Sequence, residues 1–282
     1  MISVELANNI IPQNLDKLLS FFSKNSEESI INNLFNYSNK YGYSPGCYLK
    51  NNNEIVGFLG TIYSKREINN NSLIFCNLSF LYVKKEYRIH SLKLIHKILN
   101  QDEIVFTFLT PNEISHKIIK YFKGSILEDS MIVFFPLPFF KFKNKLMSIK
   151  DNFYLNLSKE DKKHFLAHSI SKSKHILFRY KNSYCYIIST IIKKHIPITH
   201  VQYISNKMLF YEFRYYINWE LAKTNKTFFT IIDKRFLMNK KVRISFLYKL
   251  KTPKFYKSNV KFKKMEIDNL YSDLVLLNYF MA

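Results

Sequence analysis

The stretch best suited to chemistry runs from Lys84 to Leu92. There a charged turn, Lys84-Lys85-Glu86-Tyr87-Arg88-Ile89-His90, carries an apolar segment into a helical one. Ahead of the turn, Leu73–Val83 is rich in residues of high strand propensity. Behind it, Leu92, Leu94, Ile95, Ile98 and Leu99 recur with helical spacing. Ser91 is the expected N-cap, its hydroxyl accepting from a first-turn amide. A strand that feeds straight into a helix start makes an anion site, because the first amides lack intrahelical partners and the positive end of the dipole points outward.

Other reactive side chains form weaker patterns. His164 and His168 stand four apart on an expected helix, but no third ligand is near; they read as surface residues, and no metal is expected. The chain has no Gly-x-x-x-x-Gly-Lys, His-Glu-x-x-His or Gly-x-Ser-x-Gly. Cys47, Cys76 and Cys185 are an odd, widely spaced set without a Cys-x-x-Cys, which reads as reduced thiols in a cytoplasmic protein. The first ten residues carry neither a basic nor an apolar leader segment. No run approaches the roughly 18 apolar residues of a membrane helix.

The elements that must position these residues follow from composition and pattern. With 282 residues, 47% hydrophobic, including 26 Phe and 20 Tyr, the chain can bury a sizeable core in one or two domains. The net charge of +22 invites an anionic partner. Lys, Asn, Ile, Phe and Tyr are abundant together and share A/T-rich codons, however. The charge is also dispersed, which disfavours a dedicated nucleic-acid groove. A helical stripe at Leu15, Leu18, Leu19 and Phe22 precedes a Ser26-capped helix with Ile30, Ile31, Leu34 and Phe35. Strands are expected at Gly46–Lys50 and Glu54–Arg66, joined by Asn51-Asn52-Asn53. A second turn at Asn69–Asn71 leads to the central strand and its helix. Ile104–Leu109 reads as a buried strand, Asn112 as the cap of a helix bearing Ile114, Ile118, Ile119 and Phe122, and Ser125–Phe135 as a closing strand.

Phe139–Lys150 sets Lys141, Lys143, Lys145 and Lys150 among aromatic residues and reads as a solvated linker; a peripheral membrane contact there stays open. Strands follow at Ile176–Tyr180, Tyr184–Lys193 and Ile198–Ser205, then a helix over 206–223 and a strand at Thr227–Ile232. Phe210, Tyr211, Phe213, Tyr215, Tyr216 and Trp219 crowd that helix on more than one face, as core packing requires. Val242–Lys249 and Leu270–Phe280 are expected tail strands.

Val83-Lys84-Lys85-Glu86-Tyr87-Arg88 followed by a Leu-rich helix resembles the acyl-CoA-binding segment of the GNAT acyltransferase superfamily, whose signature is Arg/Gln-x-x-Gly-x-Gly/Ala. Arg88 matches, while Ser91 and Lys93 stand at the two glycine positions. The order α-α-β-β-β-α-β-α-β over residues 1–137 is that of the GNAT fold, and the second half repeats its β-β-β-α-β kernel. The resemblance implies a mixed α/β architecture: a mostly antiparallel sheet flanked by helices in residues 1–137, a basic linker over 138–152, and a second, diverged GNAT-like lobe over 153–282. It also implies acetyl-CoA or another acyl-CoA as co-substrate. The pantetheine would lie along Leu81, Tyr82 and Val83, and the pyrophosphate on Arg88, Ile89, His90, Ser91 and Leu92. The family's central-strand base position falls on Asn77, which can hold a water. Ser79 shares its face by the two-residue period. Glu67 is a further candidate for base or substrate contact. The family's general-acid tyrosine position falls on Ile119, with Tyr121 turned elsewhere.

The implied activity is transfer of an acetyl or short acyl group to a primary amine, a small molecule such as an amino sugar of surface-polysaccharide biosynthesis. Two alternatives are a non-catalytic GNAT-like binding module and a basic protein binding nucleic acid or an anionic membrane surface. The discriminators are acyl-CoA binding and steep salt dependence.

Overall fold

A computed structural model describes residues 1–7, 27–68, 71–137, 147–148, 154, 156–169, 172–193 and 195–277. The stripe from Leu15 to Phe22, the Ser26 cap, most of the Asn69–Asn71 turn and the basic segment holding Lys141, Lys143, Lys145 and Lys150 lie outside these residues.

In chain order the elements are β1 (Ile2–Leu6), α1 (Glu27–Tyr41), β2 (Gly46–Asn51), β3 (Glu54–Ile68), β4 (Asn71–Val83), a 3-10 turn (Lys85–His90), α2 (Ser91–Leu99), β5 (Ile104–Phe108), α3 (Glu113–Tyr121), β6 (Ser125–Phe134) and β7 (Met147–Ser148). Then follow α4 (Lys159–His168), β8 (Lys174–Tyr180), β9 (Ser183–Lys193), β10 (Pro197–Ile204), α5 (Lys207–Glu212), α6 (Arg214–Asn225), β11 (Phe229–Asp233), β12 (Ser245–Lys257) and α7 (Asp273–Leu276). They form two compact units. One comprises Met1–Leu127, Lys254–Phe262 and Tyr271–Ala282; the other comprises Glu128–Pro253 and Lys263–Leu270.

The first unit holds strands in the order β1-β2-β3-β4-β5-β12. Neighbours are antiparallel except β4 and β5, which run parallel because α2 connects them as a crossover. The β2–β3 hairpin turns at Asn52, whose φ of 52° is one that short polar side chains tolerate. Leu94, Ile95, Ile98 and Leu99 bury the apolar stripe of α2 against Val56, Leu59, Cys76 and Phe106, each such burial contributing about 2 kcal/mol. Leu92, expected in the stripe, is exposed. Asn112 caps α3 as its type and position foretell, Oδ1 accepting from the Ser115 amide at 2.8 Å.

The second unit holds β6-β11-β10-β9-β8-β7, antiparallel but for the β10–β11 pair. The single helix expected over 206–223 is two, α5 and α6, meeting at Phe213. Aromatics on several faces of one straight helix cannot all reach one sheet. The break lets Leu209, Phe210, Tyr216, Ile217 and Leu221 share a core with Ile132, Phe178 and Ile187.

Each sheet takes a strand from the far part of the chain. Phe255–Lys257 of β12 pair with Phe108–Phe106 in the first unit, and Met131–Phe134 of β6 pair with Asp233–Thr230 in the second. The units therefore differ from a cut at 137 and 153. The tail expectations change too. Leu270–Phe280 is no strand in its described part: Asp273–Leu276 make one helical turn, since a short apolar run does not distinguish the two. The strand expected at Val242–Lys249 begins only at Ser245, after Ile244 at φ 54°.

Candidate active site

β4 carries the site. On one side it pairs with β3 along its whole length, from Asn71 against Ile68 to Val83 against Gly57. On the other it pairs with β5 only through Ile74–Asn77, against Ile104–Thr107. From Leu78 onward the two strands part. The parting coincides with a bulge: Leu81 faces Leu59 and Ser79 faces Gly60, so Phe80 is the extra residue. Phe80 takes φ 48°, a left-handed conformation costing a residue with a Cβ about 1–2 kcal/mol. Strain of this kind clusters at ligand sites, held by the surrounding structure.

A cavity of ≈ 90 Å³ opens where the strands part. Leu78, Leu81, Ile95, Phe108 and Ile119 give it apolar walls, while Ser79, Thr110, Ser115 and Asp273 bring polar groups to it. Ser79 Oγ is buried and has no hydrogen-bond partner among the described residues. A buried hydroxyl in that state is costly unless a ligand satisfies it. The Asp273 carboxylate accepts from Thr110 Oγ1 on one oxygen and from Asn77 Nδ2 on the other, at 3.4 Å. Asn77 Oδ1 in turn accepts from Thr107 Oγ1 at 3.2 Å. Burial raises the Asp273 pKa to about 6, against the opposing pull of the Thr110 and Asn77 hydrogen bonds and of amides in its own turn. The segment bearing Asp273 is anchored on both sides: Leu274, Val275 and Leu277 are buried, and the Arg66 guanidinium lies 4.3 Å from the Phe75 ring and 5.1 Å from that of Tyr271.

The expected residues separate into those the cleft gathers and those it does not. Ser79 and Leu81 line it, and Asn77 reaches it through Asp273. Both Asn77 and Ser79 are buried, not solvated. Tyr82 and Val83 continue the strand past the bulge, with Val83 turned into the core. Glu67 is exposed and lies eight residues further along β3 than Leu59, about 26 Å of extended chain, because β3 runs away from the cleft in that direction. Ile119 is a buried wall of the cavity and Tyr121 is exposed, which leaves no tyrosine at the family's acid position.

The turn differs from its sequence reading. Lys85–His90 is a 3-10 helix running without a break into α2, so the N-cap is His90 and Ser91 is already helical, with φ −58° and ψ −32°. The Ser91 amide bonds to Arg88 O and that of Tyr87 to Lys84 O. Amides expected to face a phosphate are thus partly spent inside the turn. Its outward resources are side chains: Lys85, Arg88 and Lys93 are exposed, as is Ile89. Lys84 is paired with Glu54.

His164 and His168 are buried, not surface residues. α4 turns this face inward because Asp161 on it accepts from Tyr184 Oη at 2.7 Å and Tyr203 Oη at 2.9 Å, and the His164 ring packs 4.9 Å from that of Tyr203. The three cysteines are unbridged and buried, and burial pushes Cys47 and Cys185 up to about 12, so neither is a thiolate nucleophile near neutral pH.

Asp273, Thr110 and Phe80 carry little local signal. Asp273 is one acid in an apolar tail, nearly two hundred residues from Asn77, and only long-range packing joins them. The bulge at Phe80 lacks the glycine that would have marked it.

No family model matches this sequence, and no curated protein does. Solved structures do match. The chain is similar to a GCN5-related N-acetyltransferase from Anabaena variabilis, with 12% identity and a TM-score of 0.57, over 91% of this chain and 72% of that one. A GCN5-related N-acetyltransferase from Kribbella flavida matches at 8% identity and a TM-score of 0.56, over 92% and 72%. A probable N-acyltransferase from Enterococcus faecalis matches at 6% and 0.57, over 92% and 72%. At such identities the likeness concerns architecture. The chain has the fold of the GCN5-related N-acetyltransferases, a mixed α/β sheet flanked by helices, and the match extends over both units. No helix among the described residues is long and apolar enough to cross a membrane.

Proposed function

We propose that the chain is an acyl-CoA-dependent N-acyltransferase that passes an acetyl or other short acyl group to a primary amine. The observation that carries this reading is the cleft where β4 leaves β5, with an orphaned hydroxyl at Ser79 and a carboxyl of raised pKa at Asp273 on its walls. A strand that has lost its neighbour offers backbone groups to an extended amide-bearing chain such as pantetheine, as an added strand would. Leu81, Tyr82 and Val83 lie on that stretch. The diphosphate end would rest on the exposed cations Lys85, Arg88 and Lys93 more than on turn amides.

The bound co-substrate supplies a thioester carbonyl open to attack. Asp273, half-ionised near pH 6, takes the proton of the incoming ammonium and leaves a neutral nucleophile. Ser79 Oγ–H and the main-chain N–H near Leu81 donate to the carbonyl oxygen as charge builds on it. Asn77 holds the Asp273 carboxylate in place and takes no proton itself. Ser115, one turn before Ile119 on the same face of α3, is a hydroxyl placed for the departing sulfur. The acceptor reading that suits this site is a small amine such as an amino sugar, in the cytoplasm.

Two measurements test the proposal. Isothermal titration with acetyl-CoA and longer acyl-CoAs is expected to show one site per chain. Thiol release across a panel of primary amines is expected to show turnover. Binding without turnover on any amine would favour the non-catalytic module, and the absence of heat at millimolar acyl-CoA would end the acyl-transfer reading.

A further inference from the structure

Between Asp233 and Glu266 the chain carries twelve Lys and Arg and not one acid. Within that stretch, in the second unit, four apolar side chains are left in water: Ile244 is 61% exposed, Phe246 57%, Leu247 56% and Tyr248 50%. Phe246, Leu247 and Tyr248 are consecutive in β12, and consecutive strand residues point to opposite faces. Both faces of the strand are therefore bare here, which core packing does not produce. Lys240, Lys241, Arg243, Lys249 and Lys251 surround them and are all exposed.

The base of this projection is fixed. Tyr211 Oη donates to Lys241 O at 3.0 Å and Tyr215 Oη donates to Arg243 O. The Lys240 ammonium lies 4.8 Å from the centre of the Tyr211 ring. Ile244, a β-branched residue, is held at φ 54°, an outlying conformation at the point where the strand begins. A strained backbone turn that leads into bare apolar side chains, rather than folding them away, is the mark of a contact surface.

We infer that residues 240–251 form a membrane-docking strand that inserts Ile244, Phe246, Leu247 and Tyr248 into the interface of an anionic lipid bilayer while the surrounding Lys and Arg meet the headgroups. Charge selects the occupant's sign, and the apolar content selects its kind. A nucleic acid would satisfy the cations and could stack on Phe246 and Tyr248, but it has no use for Ile244 and Leu247 on the strand's two faces. A bilayer interface takes all four, with the tyrosine at headgroup level and the long cationic stems reaching past them. This inference stands apart from the acyl-transfer reading and does not depend on it.

Flotation of the full chain with vesicles tests it. The probes are phosphatidylcholine alone and an equimolar mixture of phosphatidylcholine and phosphatidylglycerol, in low and physiological salt. The unaltered chain is expected to float with the anionic vesicles only. Phe246→Ser, Leu247→Ser and Tyr248→Ser combined should weaken binding by about tenfold or more with an unchanged thermal melt. Lys240→Gln, Lys241→Gln, Arg243→Gln and Lys249→Gln combined should abolish the preference for anionic lipid. Equal binding by the apolar variant would overturn the inference, leaving charge alone. So would no flotation in any condition, displacement from vesicles by single-stranded RNA, or a self-associated species in sedimentation that the apolar variant dissolves.

Discussion

β4 and β10 occupy equivalent places in their units, and both are bulged. β10 pairs in parallel with β11 only through Ile198–Val201, and its register against β9 slips between Val201 and Tyr203, so Gln202 corresponds to Phe80. Both strands therefore leave their parallel partner shortly before a bulge, β10 after Val201, one residue ahead of it, and β4 after Asn77, three residues ahead. They differ in what happens next. At β10 the freed backbone is claimed: Gln202 O accepts from the Asn269 amide at 3.1 Å. The Asn269 side chain joins Arg235 at 2.6 Å and Asp233 at 3.1 Å, and Arg235 also bonds Asp233 and Ile267 O. Lys207 reaches Met265 O, and Tyr203 is tied to Asp161. At β4 a cavity remains, with Ser79 unsatisfied and one carboxylate facing in. One bulge has been closed by the protein's own chain; the other borders an open cavity. The same backbone device thus serves structure in one unit and, in our reading, chemistry in the other.

The largest effect expected is at Asp273. Asp273→Asn should lower kcat/KM by about 10²–10⁴-fold, the usual worth of a positioned general base. In the unaltered chain kcat/KM should rise with pH and level off above about 6, and the variant should lose that limb. Stability should move the other way. Because folding raises the Asp273 pKa from an ordinary 3.8 to about 6, the folded state holds the extra proton between those values. Stability therefore falls as pH rises through that window and stays flat above it. Asp273→Asn should remove the slope and recover up to about 3 kcal/mol at neutral pH, read as a higher midpoint in urea. Loss of activity together with loss of stability would mark Asp273 as merely structural.

Arg235 tests the closed bulge. Arg235→Met strips the buried carboxylates of Asp233 and Glu128 of their cation and should cost about 3–5 kcal/mol in urea unfolding. Titration of wild type should still find one acyl-CoA per chain; two sites would erase the contrast between the bulges. Ser79→Ala should cost roughly tenfold or more in kcat, with no loss of stability, since the hydroxyl it removes has no partner to orphan. The smallest effect is expected at Phe80. Phe80→Gly relieves the left-handed strain but gives up a half-buried ring, so stability should change by less than about 1 kcal/mol while acyl-CoA affinity falls.

Local signals in the sequence carried the first unit a long way. Apolar runs of strand-favouring residues set off by Asn turns located β2 to β5, the 3.6-residue stripe located α2, and Asn112 declared its own helix start. These are properties of neighbouring residues. What escaped depends on distant partners: the strands traded by β6 and β12, the meeting of Asp273 with Asn77, and the burial of His164 and His168 beside Tyr203. The Ser91 cap failed for a different reason. A 3-10 turn ahead of a helix satisfies the amides that a capping serine would have served, and composition does not distinguish the two.

The traded strands also govern how the protein comes into being. Phe108 waits for Phe255, nearly a hundred and fifty residues later, before its strand gains its second neighbour. On the ribosome the first sheet emerges with an open flank, and nothing synthesised before β12 can close it. Folding is then late, slow and dependent on the whole chain, because pairings so far apart in sequence form against a large loop-closure entropy. A fragment ending near residue 137 should accordingly aggregate on its own, its unpaired β5 edge open to any passing strand.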